Sequence, residues 1–148
     1  MRAARAVLAG CVALLSGCVA PAPTTADYAQ KAAMTAEDAV SAARTAVVAA
    51  RAYADDKLPA TYLEPMLVDA EQVVGSVQST FVSIQPPATA SADDLRAALE
   101  PLLEDAGSAL TEMRIAARRD STEALTAAAD DLAAAADDLD AFAREHAP

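Results

Sequence analysis

Between Ala29 and Tyr53 the chain repeats with a period of seven. Ala29, Ala36, Ala43 and Ala50 fall on one line, and Ala32, Ala39, Ala46 and Tyr53 fall on the next. Val40 and Val47 flank this seam. A seven-residue period closes two helical turns, so the two lines share one helix face. A face of methyl groups lets a partner helix approach near the short end of the usual range of roughly 8–10 Å. Each alanine buries little area, so stabilisation has to come from length and close contact.

Alanine makes up more than a quarter of the chain, while glycine and β-branched strand runs are scarce. Alanine has the best helix propensity because it loses no side-chain entropy. The expected fold is all-α, an alanine-rich antiparallel bundle of four helices, or three if the last two are continuous.

In chain order, the first helix is expected from about Thr25 to Lys57, with Thr24 and Asp27 as its N-terminal box and the alanine seam inside it. Pro59 and Pro65 restrict the residues before them, so the second helix is expected to start with Pro65 in its first turn and to run to about Gln85. Leu63, Met66, Leu67, Ala70, Val73, Val74, Val77, Phe81 and Ile84 form its stripe at three- and four-residue spacing. Gln85 to Ala90 contains Pro86 and Pro87 and is a linker. Ser91 with Asp94 three residues on is the expected cap of the third helix.

The third stripe holds Leu95, Leu99, Leu102, Ala106, Ala109, Leu110, Met113 and Ala116. Pro101 lies within it and predicts a kink, or a helix that starts only there. At Arg118-Arg119-Asp120-Ser121 basic residues suit a helix end, and Asp120 or Ser121 ahead of Glu123 suits a new start. The stripe also changes phase, because continuing Ala109 and Ala116 by sevens lands on Glu123, Asp130 and Asp137. A break there gives a fourth helix with its own line, Leu125, Leu132 and Leu139, flanked by Ala128, Ala135 and Phe142.

Little in this pattern carries chemistry. Asp131 and Asp138 are seven residues apart, about 10.5 Å along one helix, too far for one ion. Adjacent aspartates such as Asp130 and Asp131 diverge by about 100°, and no Asp/Gly-rich calcium loop is present. These residues are expected to form a solvated face. The single histidine, His146, has neither the spacing of a carboxylate-bridged di-metal bundle nor the partners of a serine triad. No glycine pattern for cradling phosphate occurs. The chain is therefore expected not to be an enzyme and to need no cofactor or metal.

The first residues follow a different pattern. Arg2 and Arg5 precede an apolar run from Ala6 to Leu15, and Leu15-Ser16-Gly17-Cys18 closes it. Basic residues, a short apolar core and small residues in that order describe a secretory signal. The run is too short and too interrupted for the roughly 20 residues that span a bilayer. Leu15-Ser16-Gly17-Cys18 resembles the lipobox of bacterial lipoprotein precursors. Leu8-Ala9-Gly10-Cys11 fits the same pattern but leaves almost no apolar core ahead of it.

The resemblance implies a signal peptide over residues 1–17, a lipid on the Cys18 thiol and cleavage just before it. Residues 18–25 would then be the lipidated cysteine and a Pro/Thr tether, and residues 26–146 one helical-bundle domain. The exported part would contain no free thiol, since Cys11 is removed and Cys18 is lipidated. Loss of Arg2 and Arg5 leaves 9 Lys+Arg against 22 Asp+Glu, a net charge of −13. Such a surface repels phosphate backbones, so no nucleic-acid partner is expected.

The expected function is a non-enzymatic bundle held by lipid to the outer leaflet of a bacterial cell membrane, serving as an interaction or spacer module for an envelope protein. One alternative is a module for a small apolar ligand between helices, around Met66, Phe81, Met113 and Phe142. The other is self-association into a homo-oligomer along the alanine seam of the first helix.

Overall fold

The computed structural model describes Ala22 and residues 24–147. They form four helices: α1 (Thr25–Ala54), α2 (Ala60–Ser83), α3 (Ala90–Arg118) and α4 (Thr122–His146). Ion pairs and hydrogen bonds show the topology. Arg44 meets Asp140 and Arg51 meets Asp130, so α1 and α4 run antiparallel. Glu64 meets Arg118 and Glu71 meets Arg114, so α2 and α3 do too. The result is an up-down-up-down bundle with short connections.

The cross-section is a rhombus. Helix α1 touches all three other helices, whereas α2 and α4 do not touch each other. The alanine seam explains this geometry. Ala32, Ala36, Ala39, Ala43 and Ala46 are all fully buried, which lets α3 approach α1 across the short diagonal. Three neighbours also bury more of α1 than one seam would. Ala33, Ala42 and Ala49 join the core from outside the two heptad lines. The bulk comes from the other helices, where Leu67, Leu99, Leu103, Leu110, Leu132 and Leu139 are fully enclosed. No charged or polar residue is buried among the described residues.

Two aspartates end helices in the same way. After α1, Asp56 has φ 58°, Lys57 N–H donates to the Ala52 carbonyl, and Asp56 N–H donates to Tyr53. After α3, Asp120 has φ 53°, Ser121 N–H donates to Ala116, and Asp120 N–H donates to Ala117. Both are Schellman motifs with aspartate at the left-handed position usually held by glycine. The break between α3 and α4 is therefore real, and Ser121 accepts from Ala124 N–H to start α4.

The structure corrects several sequence expectations. Helix α1 ends at Ala54, because Asp56 turns the chain before Lys57. Helix α2 starts at Ala60 behind Pro59, which places Pro65 inside it. Helix α3 is capped by Thr89, whose hydroxyl accepts from Ala92 N–H, in place of Ser91. It continues through Pro101 as one element and does not begin there. Pro65 and Pro101 both face solvent, as do Thr61 and Ala97 one turn earlier, so water can reach the carbonyls that lose a partner. Leu103 takes the core position expected for Leu102, and Val73 is 43% exposed.

Close packing on the seam has an opposite consequence from hydrophobicity alone. Ala43→Leu adds apolar surface at a position with no room and is expected to destabilise the bundle by about 1–3 kcal/mol. A urea midpoint at or above wild type would contradict the tight diagonal. The αL aspartates give a second expectation. Asp56→Gly is expected to stabilise by roughly 0.5–1 kcal/mol, since only glycine adopts that backbone without strain. Asp120→Gly should gain less, because it also loses the hydrogen bond from Tyr53 Oη at 3.0 Å. Thermal melts of the two variants side by side measure the difference.

Candidate functional site

The lipobox residues Leu15, Ser16, Gly17 and Cys18 lie outside the described residues. What the structure defines is the end of the bundle nearest to them in the chain. Ala22 is 3% exposed and already packs into the core, and Thr24 starts α1. The Thr24 hydroxyl accepts from Asp27 N–H at 3.1 Å and donates to the Asp27 carboxylate at 2.7 Å. Among the described residues Ala22 thus lies in the core, ahead of Thr25 where the tether is expected to end.

Arg96 ties this end together. Tyr28 is fully buried and stacks on Phe81 with ring centroids 5.4 Å apart. A buried phenol needs a hydrogen-bond partner. Arg96 Nε donates to the Tyr28 oxygen at 3.1 Å. The same guanidinium donates through Nη2 to the carbonyls of Ile84 at 2.7 Å and Val82 at 3.3 Å, at the C-terminus of α2. A cation there suits the orphan carbonyls and the helix dipole. One side chain of α3 therefore fastens α1 and α2. No periodic signal marks it in the sequence, because Arg96 lies beside the apolar stripe.

Two seams carry charges of opposite sign on facing helices. Across α1–α4, Arg44 reaches Asp140 at 2.8 Å and Asp137 at 3.4 Å, and Arg51 reaches Asp130 at 3.1 Å. Arg144 also contacts Asp140 within α4. Across α2–α3, Arg118 Nε meets Glu64 at 2.8 Å, and Arg114 bridges both Glu71 oxygens, at 2.8 and 3.2 Å. The closer Arg114 contact, through Nε, is an ion pair without hydrogen-bond alignment. Thr111 donates to the same carboxylate at 2.9 Å.

The aspartate face expected to be only solvated is therefore divided. Asp131 and Asp138 face water, while Asp130 and Asp137 meet the arginines of α1. The shared seven-residue spacing of Arg44/Arg51 and Asp130/Asp137 was the available signal. Exposed pairs of this kind are solvated and screened by salt, so they set register more than stability.

The third feature is an open groove of about 460 Å³ between α1 and α2. Ala42 and Ala70 line it from buried positions, with Met66, Val73 and Val77 beside them. Of the other residues named for a ligand site, Phe81 and Met113 are fully buried and Phe142 is 6% exposed. Those three are core, and only Met66 reaches the groove, which lies between α1 and α2. Among the described residues no three His, Cys, Asp or Glu side chains converge to hold a metal ion. His146 packs edge-on against Phe142, with centroids 4.4 Å apart.

These features define an all-α, four-helix antiparallel bundle of alternating direction with an acidic surface. No protein-family model, curated protein or solved structure matches the chain.

The charge seam has a pH signature. The Asp140 carboxyl is held below its ordinary value, first by its hydrogen bond from Arg44 and then by the charges of Arg144 and Arg44, against partial burial. A carboxylate with a lowered folded-state pKa stabilises above its ordinary value, about pH 4, and loses that effect as pH falls through the folded value. Arg44→Gln is expected to be less stable than wild type above about pH 4. The difference should shrink in acid and in about 1 M salt, where screening is strong. Urea midpoints from pH 2 to pH 7 test it; a difference that persists unchanged in acid would contradict the pairing.

Proposed function

We propose that the chain is a lipid-anchored, non-enzymatic helical-bundle protein of a bacterial cell envelope, acting as an interaction or spacer module. The observation that carries this reading is Leu15-Ser16-Gly17-Cys18 directly ahead of a bundle whose core begins at Ala22. From Cys18 to Ala22 the chain reaches at most about 14 Å. A lipid on Cys18 would hold the Tyr28–Arg96 end close to the headgroups. Helix α1, with 30 residues, is about 45 Å long and sets how far the opposite end can stand away. Among the described residues no helix is long and apolar enough to cross a membrane.

Self-association along the alanine seam is disfavoured, because the seam is buried inside one chain and a second copy could reach it only by opening the bundle. A small apolar ligand has the α1–α2 groove available, although Asp38 and Asp69 line it and suit a charged partner better.

Metabolic labelling with radioactive palmitate, followed by membrane fractionation, tests the anchor. Wild type and Cys11→Ser are expected to be labelled and to sediment with membranes. Cys18→Ser should be unlabelled, and either released or left as the longer precursor. Label retained in Cys18→Ser would defeat the reading.

A further inference from the structure

The α1–α2 seam differs from the others in both charge and apolar exposure. The α1–α4 and α2–α3 seams are each spanned by arginine–carboxylate pairs. The α3–α4 notch holds charges of both signs, Arg119 beside Glu112 and Asp131. Along α1–α2 the walls present Asp38 and Asp69, and neither lies within ion-pair distance of a cation among the described residues.

Exposed apolar side chains collect on the same two stripes. Met34 is 55% exposed one turn before Asp38, which lines the groove. Tyr62 is 62% exposed one turn before Met66, and Val73 at 43% lines the groove itself. Three of the six large apolar residues exposed among the described ones, Met34, Tyr62 and Val73, therefore fall on the stripes that border one groove. Residues three or four apart share a helix face, so these side chains extend the walls of the groove at both ends.

We propose that this groove docks a basic amphipathic helix of a protein partner. Small side chains at Ala42 and Ala70 let a third helix settle between α1 and α2. An apolar stripe of the partner, repeating every three to four residues over about 18 residues or roughly 27 Å, spans Tyr62, Val73 and Met34. A lysine or arginine between them reaches Asp38 and Asp69, which supply sign and register. An anionic membrane surface is disfavoured by the same two carboxylates. The proposal deepens the interaction-module reading and is independent of the anchor, which palmitate labelling tests separately.

The test uses the full purified chain mixed with phosphatidylcholine nanodiscs, whether or not it carries lipid, with empty discs as the blank. The probe is a fluorescent peptide of about 18 residues, roughly 27 Å as a helix, with leucine on one face and lysine on its flanks. Saturable binding above the blank is expected. It should weaken about tenfold or more in Asp38→Lys/Asp69→Lys and in Val73→Glu. It should be nearly unchanged in Asp131→Lys/Asp138→Lys, which alters net charge equally on another face. Circular dichroism melts check that each variant is folded.

Equal losses in both double variants would show non-specific charge attraction and overturn the proposal. Binding no greater than to empty discs would also overturn it. Equal affinity for a peptide with serine in place of lysine, indifferent to Asp38 and Asp69, would assign the groove to neutral apolar ligands instead.

Discussion

The close approach of α1 to α3 is the constraint on which the bundle depends. Four helices around a square would leave a central space that the alanine face of α1 could not fill. Drawing α1 onto the short diagonal removes that space and leaves α2 and α4 apart. The cost is that α1 contributes little apolar area per residue, so leucines of α2, α3 and α4 supply it. Packing density, more than hydrophobicity, decides which residues can occupy the seam.

Polar interactions then select one arrangement among those that an alanine face would permit. Methyl groups repeating every seven residues do not distinguish one register from another. The arginine–aspartate pairs across α1–α4 and the glutamate–arginine pairs across α2–α3 do so from the rims, where they remain solvated. At one end Arg96 joins three helices through the buried Tyr28 hydroxyl and the last carbonyls of α2. At the other, Tyr53 of α1 donates to Asp120, which turns the chain from α3 into α4. The two ends are fixed by different chemistry, and the α1–α2 groove between them is left without a bolt.

Much of the fold could be read from the residues. The alanine lines, the Leu125–Leu132–Leu139 line and the Pro86–Pro87 linker each specify their element locally. The phase change after Ala116 pointed to a break that Asp120 makes with a left-handed turn. Boundaries near proline were harder. Pro65 and Pro101 look like helix starts in sequence, yet both sit inside helices because their exposed faces leave the freed carbonyls to water. The choice of Leu103 over Leu102 depended on the angle at which α3 meets α1 and α4, which no single helix encodes.

The candidate site divides the same way. Leu15-Ser16-Gly17-Cys18 is read by its order along the chain, so the sequence carries it whole. The pairing of Arg44 and Arg51 with Asp130, Asp137 and Asp140, and the triple role of Arg96, require helices distant in sequence to lie side by side. By itself the sequence determined a helical class, four elements and an acidic surface, because propensity, heptad spacing and charge are local properties. Only the tertiary structure decided which seams are bolted and which groove stays open, because those depend on which helices become neighbours.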